Sequence, residues 1–141
     1  MKQILIVILL VFASAEAYTQ HLQTDAQGFE TFEMKEGDTT YTMKKYFVVL
    51  LKAGAERSQD EAEAQKIQMA HQAHIGWMAE QGYVDMAGPF GDNGEIRGIL
   101  IMRVATKEKA EELAAMDPAV KAGRLVMEIH PWWAARGSSL K

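Results

Sequence analysis

Residues 44–89 read KKYFVVLLKAGAERSQDEAEAQKIQMAHQAHIGWMAEQGYVDMAGP, and this stretch decides the fold. Tyr46-Phe47-Val48-Val49-Leu50-Leu51 is too continuously apolar for a strand with one wet face, so it reads as a strand buried on both sides. Ala53-Gly54 ends it. Ser58-Gln59-Asp60-Glu61 has the form of a capping box, with Ser58 covering an orphan N–H and Glu61 reaching back to the cap. It predicts a helix over about residues 59–81, closed by Gly82 in the left-handed conformation. Tyr83 to Ala87 follow as a short strand.

On that helix Ala64, Ile67, Ile75 and Met78 share one face, and His71 stands at its centre. A buried imidazole must hydrogen-bond, and a carboxylate on one ring nitrogen would fix the tautomer and leave the other free to accept a proton. His71 is therefore the first candidate for acid/base chemistry; the alternative is a core histidine with a purely structural bond. Asp117 is its candidate partner. Standing before Pro118, Asp117 also has the pattern of an ordinary N-cap with proline at the first helical position, and a carboxylate has lone pairs for both roles.

Downstream, Gly88-Pro89-Phe90 leads to Gly91-Asp92-Asn93-Gly94, where Asn93-Gly94 predicts a tight hairpin with positive φ at both central positions. Glu95 to Val104 forms the returning strand. Thr106 caps a second helix that runs to about Met116 with Ala110, Leu113 and Ala114 inward, and Asp117-Pro118 stops it. A last strand from Arg124 to His130 leads into Pro131-Trp132-Trp133 and a polar tail. The order βαββαβ places the chain in the α+β class, with a ferredoxin-like, four-stranded antiparallel sheet and two helices on one face. Two helices leave the second sheet face bare, yet the strands are apolar on both sides. A second copy stacked sheet to sheet, a homodimer, would cover it.

Outside this block, Lys2, the apolar run Ile4 to Phe12 and Ala15-Glu16-Ala17 have the form of a secretory signal peptide over residues 1–17. Export to the periplasm or the extracellular space follows as an expectation, with no membrane association once the signal is removed. Residues 18–43 are polar and mixed and are expected to form a weakly ordered N-terminal arm, residues 44–133 the domain, and residues 134–141 a tail. The 124 residues left after the signal (141 − 17) fit one domain. With no cysteine in the chain, stability must come from the core or from association. A net charge of −4 and the lack of any basic run argue against nucleic acid as a partner.

His71, Gly82, Ala87-Gly88-Pro89, Asp117-Pro118, Ala122-Gly123 and Glu128-Ile129-His130-Pro131-Trp132, in that order, resemble the YciI-like (YCII-related) family over roughly Lys44 to Trp133. The resemblance implies the ferredoxin-like fold, dimerisation into an α+β barrel, and a catalytic His–Asp pair that falls on His71 and Asp117. Some relatives act on chlorinated aromatic breakdown products. This chain departs from many of them in its exported N-terminus and in carrying His74 one turn after His71.

His74, Gly88 and Pro89 are candidate lining residues of a substrate pocket. His71 and His74 also have the spacing of a helical His-x-x-His metal pair, but no third His or Cys stands near, and no metal site is assigned. Arg97, Arg103 and Arg124 read as solvated strand-edge charges, with anion binding as the alternative. Trp132 and Trp133 read as an aromatic lid or dimer contact. No nucleophile elbow, phosphate loop or dinucleotide fingerprint occurs, and no cofactor is expected. What remains is acid/base work by His71 and Asp117 on a small cyclic or carbonyl-bearing substrate, giving elimination or isomerisation. The competing classes are a dimeric protein that binds a small ligand without turnover, and a structural dimer.

Overall fold

The computed structural model describes residues 21–141, so the expected signal peptide over residues 1–17 lies outside the described residues. In chain order the elements are β1 (Gln23–Thr24), β2 (Glu30–Glu36), β3 (Thr39–Ala53), α1 (Glu61–Glu80), β4 (Val84–Pro89), β5 (Ile96–Met102), α2 (Lys107–Ala115), α3 (Pro118–Lys121) and β6 (Leu125–Ala135). Strands β6, β3, β5 and β4 lie side by side in that order with every pair antiparallel, which is the ferredoxin-like sheet.

β3 is 15 residues long and exceeds what the core needs. β6 runs along one of its edges from Met43 to Ala53, so β5, on Phe47–Lys52, and β2, on Thr39–Lys44, share the other. The sheet thus has six strands rather than four. The arm expected over residues 18–43 to be weakly ordered instead carries β1, β2 and the start of β3. The overlooked signal is Gly37-Asp38: Gly37 takes φ +59° at the first of two positions between Glu36 and Thr39, where a two-residue hairpin favours glycine. The hairpin also has a distant surface to pack on. Phe32 is buried against Trp133 with ring centroids 4.9 Å apart, and Lys44 Nζ lies 3.4 Å from the centre of the Phe29 ring. Burial holds the Lys44 amine below its usual pKa, a cost partly offset by Asp25.

On the helix side of the sheet the register sets Phe47 opposite Met102 and Val49 opposite Leu100. These residues pack with Leu51, Met78, Leu113 and Ala114 into one core. A one-residue slip would turn all of them to the other face. On that other face Val48, Leu50, Ile99 and Ile101 are half-buried, while Met86 and Trp132 are exposed. The two-sided apolar character read from the sequence is real. A cleft of about 580 Å³ runs along this face between Tyr46, Ile101 and Trp132.

The β4–β5 connection is a hairpin, but not the tight turn expected at Asn93-Gly94. Pro89 pairs with Gly98, Phe90 to Glu95 form a wider loop, and no non-glycine residue among those described has positive φ. The Gly94 N–H donates to Asp92 Oδ1 at 3.2 Å, so the aspartate side chain organises the turn in place of positive φ. Among the described residues no helix is long and apolar enough to cross a membrane.

Candidate active site

α1 begins one turn's fragment later than the sequence suggests. Asp60, not Ser58, is the N-cap, and its Oδ1 accepts the Glu63 N–H at 2.8 Å. Both residues have the cap chemistry, but a carboxylate gains more from the positive end of the helix. The helix ends as expected: Gly82 has φ +75°, its N–H donates to Ala79 O, and the Tyr83 N–H donates to Met78 O. Between these ends the apolar stripe faces the sheet. Met78 is fully buried, and His71, 9% exposed, is nearly so.

α2 stops at Ala115, and the proline at residue 118 holds Asp117 in an extended conformation of φ −58° and ψ 126°. From there the two carboxylate oxygens reach different elements. Oδ1 accepts the Ala119 N–H at 2.8 Å and caps α3, while Oδ2 accepts from His71 Nδ1 at 2.6 Å. Asp117 is 1% exposed. Capping and pairing coexist on one side chain, across 46 positions of sequence.

With its proton on Nδ1 and committed to Asp117, His71 presents Nε2 as the basic lone pair. Among the described residues Nε2 has no hydrogen-bond partner. His71 forms part of the wall of a cavity of about 350 Å³ between α1 and the end of the sheet. Leu51, Ile75, Leu100 and Leu125 supply apolar lining, and Gly88 and Pro89 lie at its β4 side.

His74 does not line this cavity, which corrects its assignment to the pocket. Its ring stacks on Trp77 at 5.6 Å, and its Nε2 donates to Leu113 O at 2.9 Å, covering a carbonyl that the end of α2 leaves without a helical partner. Three positions leave the two side chains only about 60° apart around the helix, so it is the bond to Leu113 O and the stacking on Trp77 that hold the His74 ring toward α2. The two rings diverge, and among the described residues no group of three or more His, Cys, Asp or Glu side chains could hold a metal ion.

Sequence reading missed Gln68, Gln72 and Arg97 as wall residues. Gln68 lies three positions before His71, a neighbour spacing that carried the signal once the histidine was singled out, whereas Gln72, the next residue, had none. Arg97, taken for a solvated strand-edge charge, sits where β5 begins beside the cavity. Arg103 and Arg124 are not at the cavity: Arg103 Nε meets Asp85 Oδ1 at 3.0 Å, and Arg124 donates to Gln59 at 2.7 Å. His130 is exposed and bonded to Glu128. That bond, together with Lys52, holds the Glu128 carboxyl below its usual pKa.

A family model described as YCII-related domain matches residues 46–133. Among solved structures the chain is similar to 5-chloro-2-hydroxyhydroquinone dehydrochlorinase from Burkholderia phenoliruptrix AC1100, determined in complex with 2,5-dihydroxybenzoquinone. The two are 18% identical with a TM-score of 0.45, over 62% of this chain and 92% of that one. No curated protein matches the chain.

Proposed function

Because the chain belongs to the YCII-related domain family, we propose that it is a small-molecule enzyme in which His71 is the general base and Asp117 orients it. The observation that carries this reading is the asymmetry of the imidazole: Nδ1 is held by a buried carboxylate, while Nε2 has no partner among the described residues and the residue lines a cavity. Nε2 takes a proton from a carbon next to the carbonyl of a small cyclic substrate. The bond's electron pair moves into the carbonyl as an enolate, and Asp117 stabilises the resulting imidazolium. Collapse of the enolate with loss of a leaving group on the neighbouring carbon gives elimination. Return of the proton from Nε2 to a different carbon gives isomerisation.

The test uses small cyclic ketones and lactones in D2O, with deuterium wash-in at the α-carbon followed by NMR. The wild type should exchange faster than buffer, and His71→Asn should lose about 100-fold or more of that excess. If ketones bind with no exchange above buffer, the protein is a binding module and the acid/base reading is wrong.

The same proposal includes a homodimer formed through the apolar sheet face, supported by the exposure of Met86 and Trp132 there. Sedimentation equilibrium of the mature chain should give twice the monomer mass at micromolar concentration. Trp132→Glu should shift it to monomer, and a wild type that stays monomeric would remove the dimer.

A further inference from the structure

We infer that Arg97 is an anion anchor and that the cavity takes a small ring compound bearing a carboxylate; this rests on reading the His71 cavity as the substrate site. Four polar side chains contribute to its wall: Gln68, His71 and Gln72 from α1, and Arg97 from β5. None of the wall residues is acidic. Asp117 stands behind His71 with one oxygen on the imidazole and the other on the Ala119 N–H.

Among the described residues Arg97 forms no salt bridge, whereas Arg103 pairs with Asp85 and Lys52 with both Glu95 and Glu128. Arg97 is exposed, and what sets it apart from Arg57 and Arg136, which also form no salt bridge among the described residues, is its place in the wall of a partly apolar cavity, where a guanidinium can take an anionic ligand. A guanidinium presents parallel N–H donors that fit a carboxylate in two bonds, and it stays charged at every physiological pH. The apolar lining suits the faces of a ring, and about 350 Å³ lies at the small end of ligand pockets. With the carboxylate on Arg97, the ring is held in the cavity that His71 lines. Gln68 and Gln72 carry amides able to bond a ring carbonyl or hydroxyl in either polarity.

Benzoate and benzamide, equal in shape and different in charge, separate the claim from the chemistry. Titrated into the intact mature protein by NMR, benzoate should bind the wild type about tenfold or more tighter than benzamide, as expected for a charge-assisted pair, and less tightly as salt is raised. Arg97→Gln should abolish that preference while moving benzamide affinity by less than about twofold, and Arg97→Lys should restore part of it. His71→Asn should leave the preference in place, because the anchor does not depend on the base. Equal binding of the two probes by the wild type, or a preference that survives Arg97→Gln, overturns the anchor even if neutral ketones exchange deuterium. A benzoate preference without any exchange supports the anchor and removes the acid/base reading instead.

Discussion

Asp117→Ala is expected to lower the unfolding free energy by about 2–4 kcal/mol, because one buried carboxylate serves two donors. Two losses combine. The Ala119 N–H at the start of α3 loses its 2.8 Å acceptor, a capping loss of about 1 kcal/mol. The His71 Nδ1–H, 2.6 Å from Oδ2, is left without a partner in a site 9% exposed, which costs about 1–3 kcal/mol more. Urea unfolding followed by tryptophan fluorescence measures the change, and a loss under about 1 kcal/mol would mean the pair contributes little to the fold.

Asp117→Asn separates stability from chemistry. The amide oxygen can still cap Ala119, but its NH2 then faces His71 Nδ1, which must accept. The ring proton moves to Nε2, and that nitrogen becomes a donor instead of a base. Stability should fall by less than in Asp117→Ala, while deuterium exchange should fall about as far as in His71→Asn. Exchange at the wild-type rate in a folded Asp117→Asn protein would remove Asp117 from the mechanism and leave it as a helix cap.

The second large effect is expected at Gly54, where β3 leaves the sheet. A Cβ there would lie 2.1 Å from Gly123 O and 2.8 Å from Arg124 C, so the obstacle is backbone and cannot rotate away. The contact is tied from several sides: the Gly54 N–H donates to Arg124 O at 2.8 Å, the Glu56 N–H donates to Gly123 O at 3.2 Å, and Gly123 itself has φ +67°. Gly54→Ala must push β3 away from the turn that starts β6. Its cost should reach the upper end of overpacking effects, about 3 kcal/mol or more. Thermal unfolding reads it, and a change of about 0.5 kcal/mol or less would show that the turn yields freely. Gly76→Ala is the control, since a Cβ there meets nothing within 4 Å and alanine is the better helix former.

The sequence alone settled what local periodicity and turn chemistry encode. The two-sided strand at Tyr46–Leu51, the helix carrying His71, Gly82 in the left-handed conformation, Thr106 as a cap and the βαββαβ order were all legible, because each depends on residues a few positions apart. The pairing of His71 with Asp117 was legible too, since a buried imidazole needs a partner and the chain offered a carboxylate at the end of α2. Local signals failed where two offered the same chemistry or where a distant surface chose the outcome. Asp60 displaced Ser58 as the cap, Asp92 organised the loop at Asn93-Gly94, and Trp133 gave the hairpin of β2 and β3 a surface to pack on.

The cavity belongs wholly to the tertiary structure. It is the space left where α1 crosses the end of the sheet, and its volume and wall follow from how side chains remote in sequence fill the gap between elements. That packing set His71 in the cavity wall and turned His74 toward the Leu113 carbonyl. It also placed Gln68, Gln72 and Arg97 at one wall. Helical period places a residue on a face; only the opposing surface determines whether that face meets packed atoms or an opening.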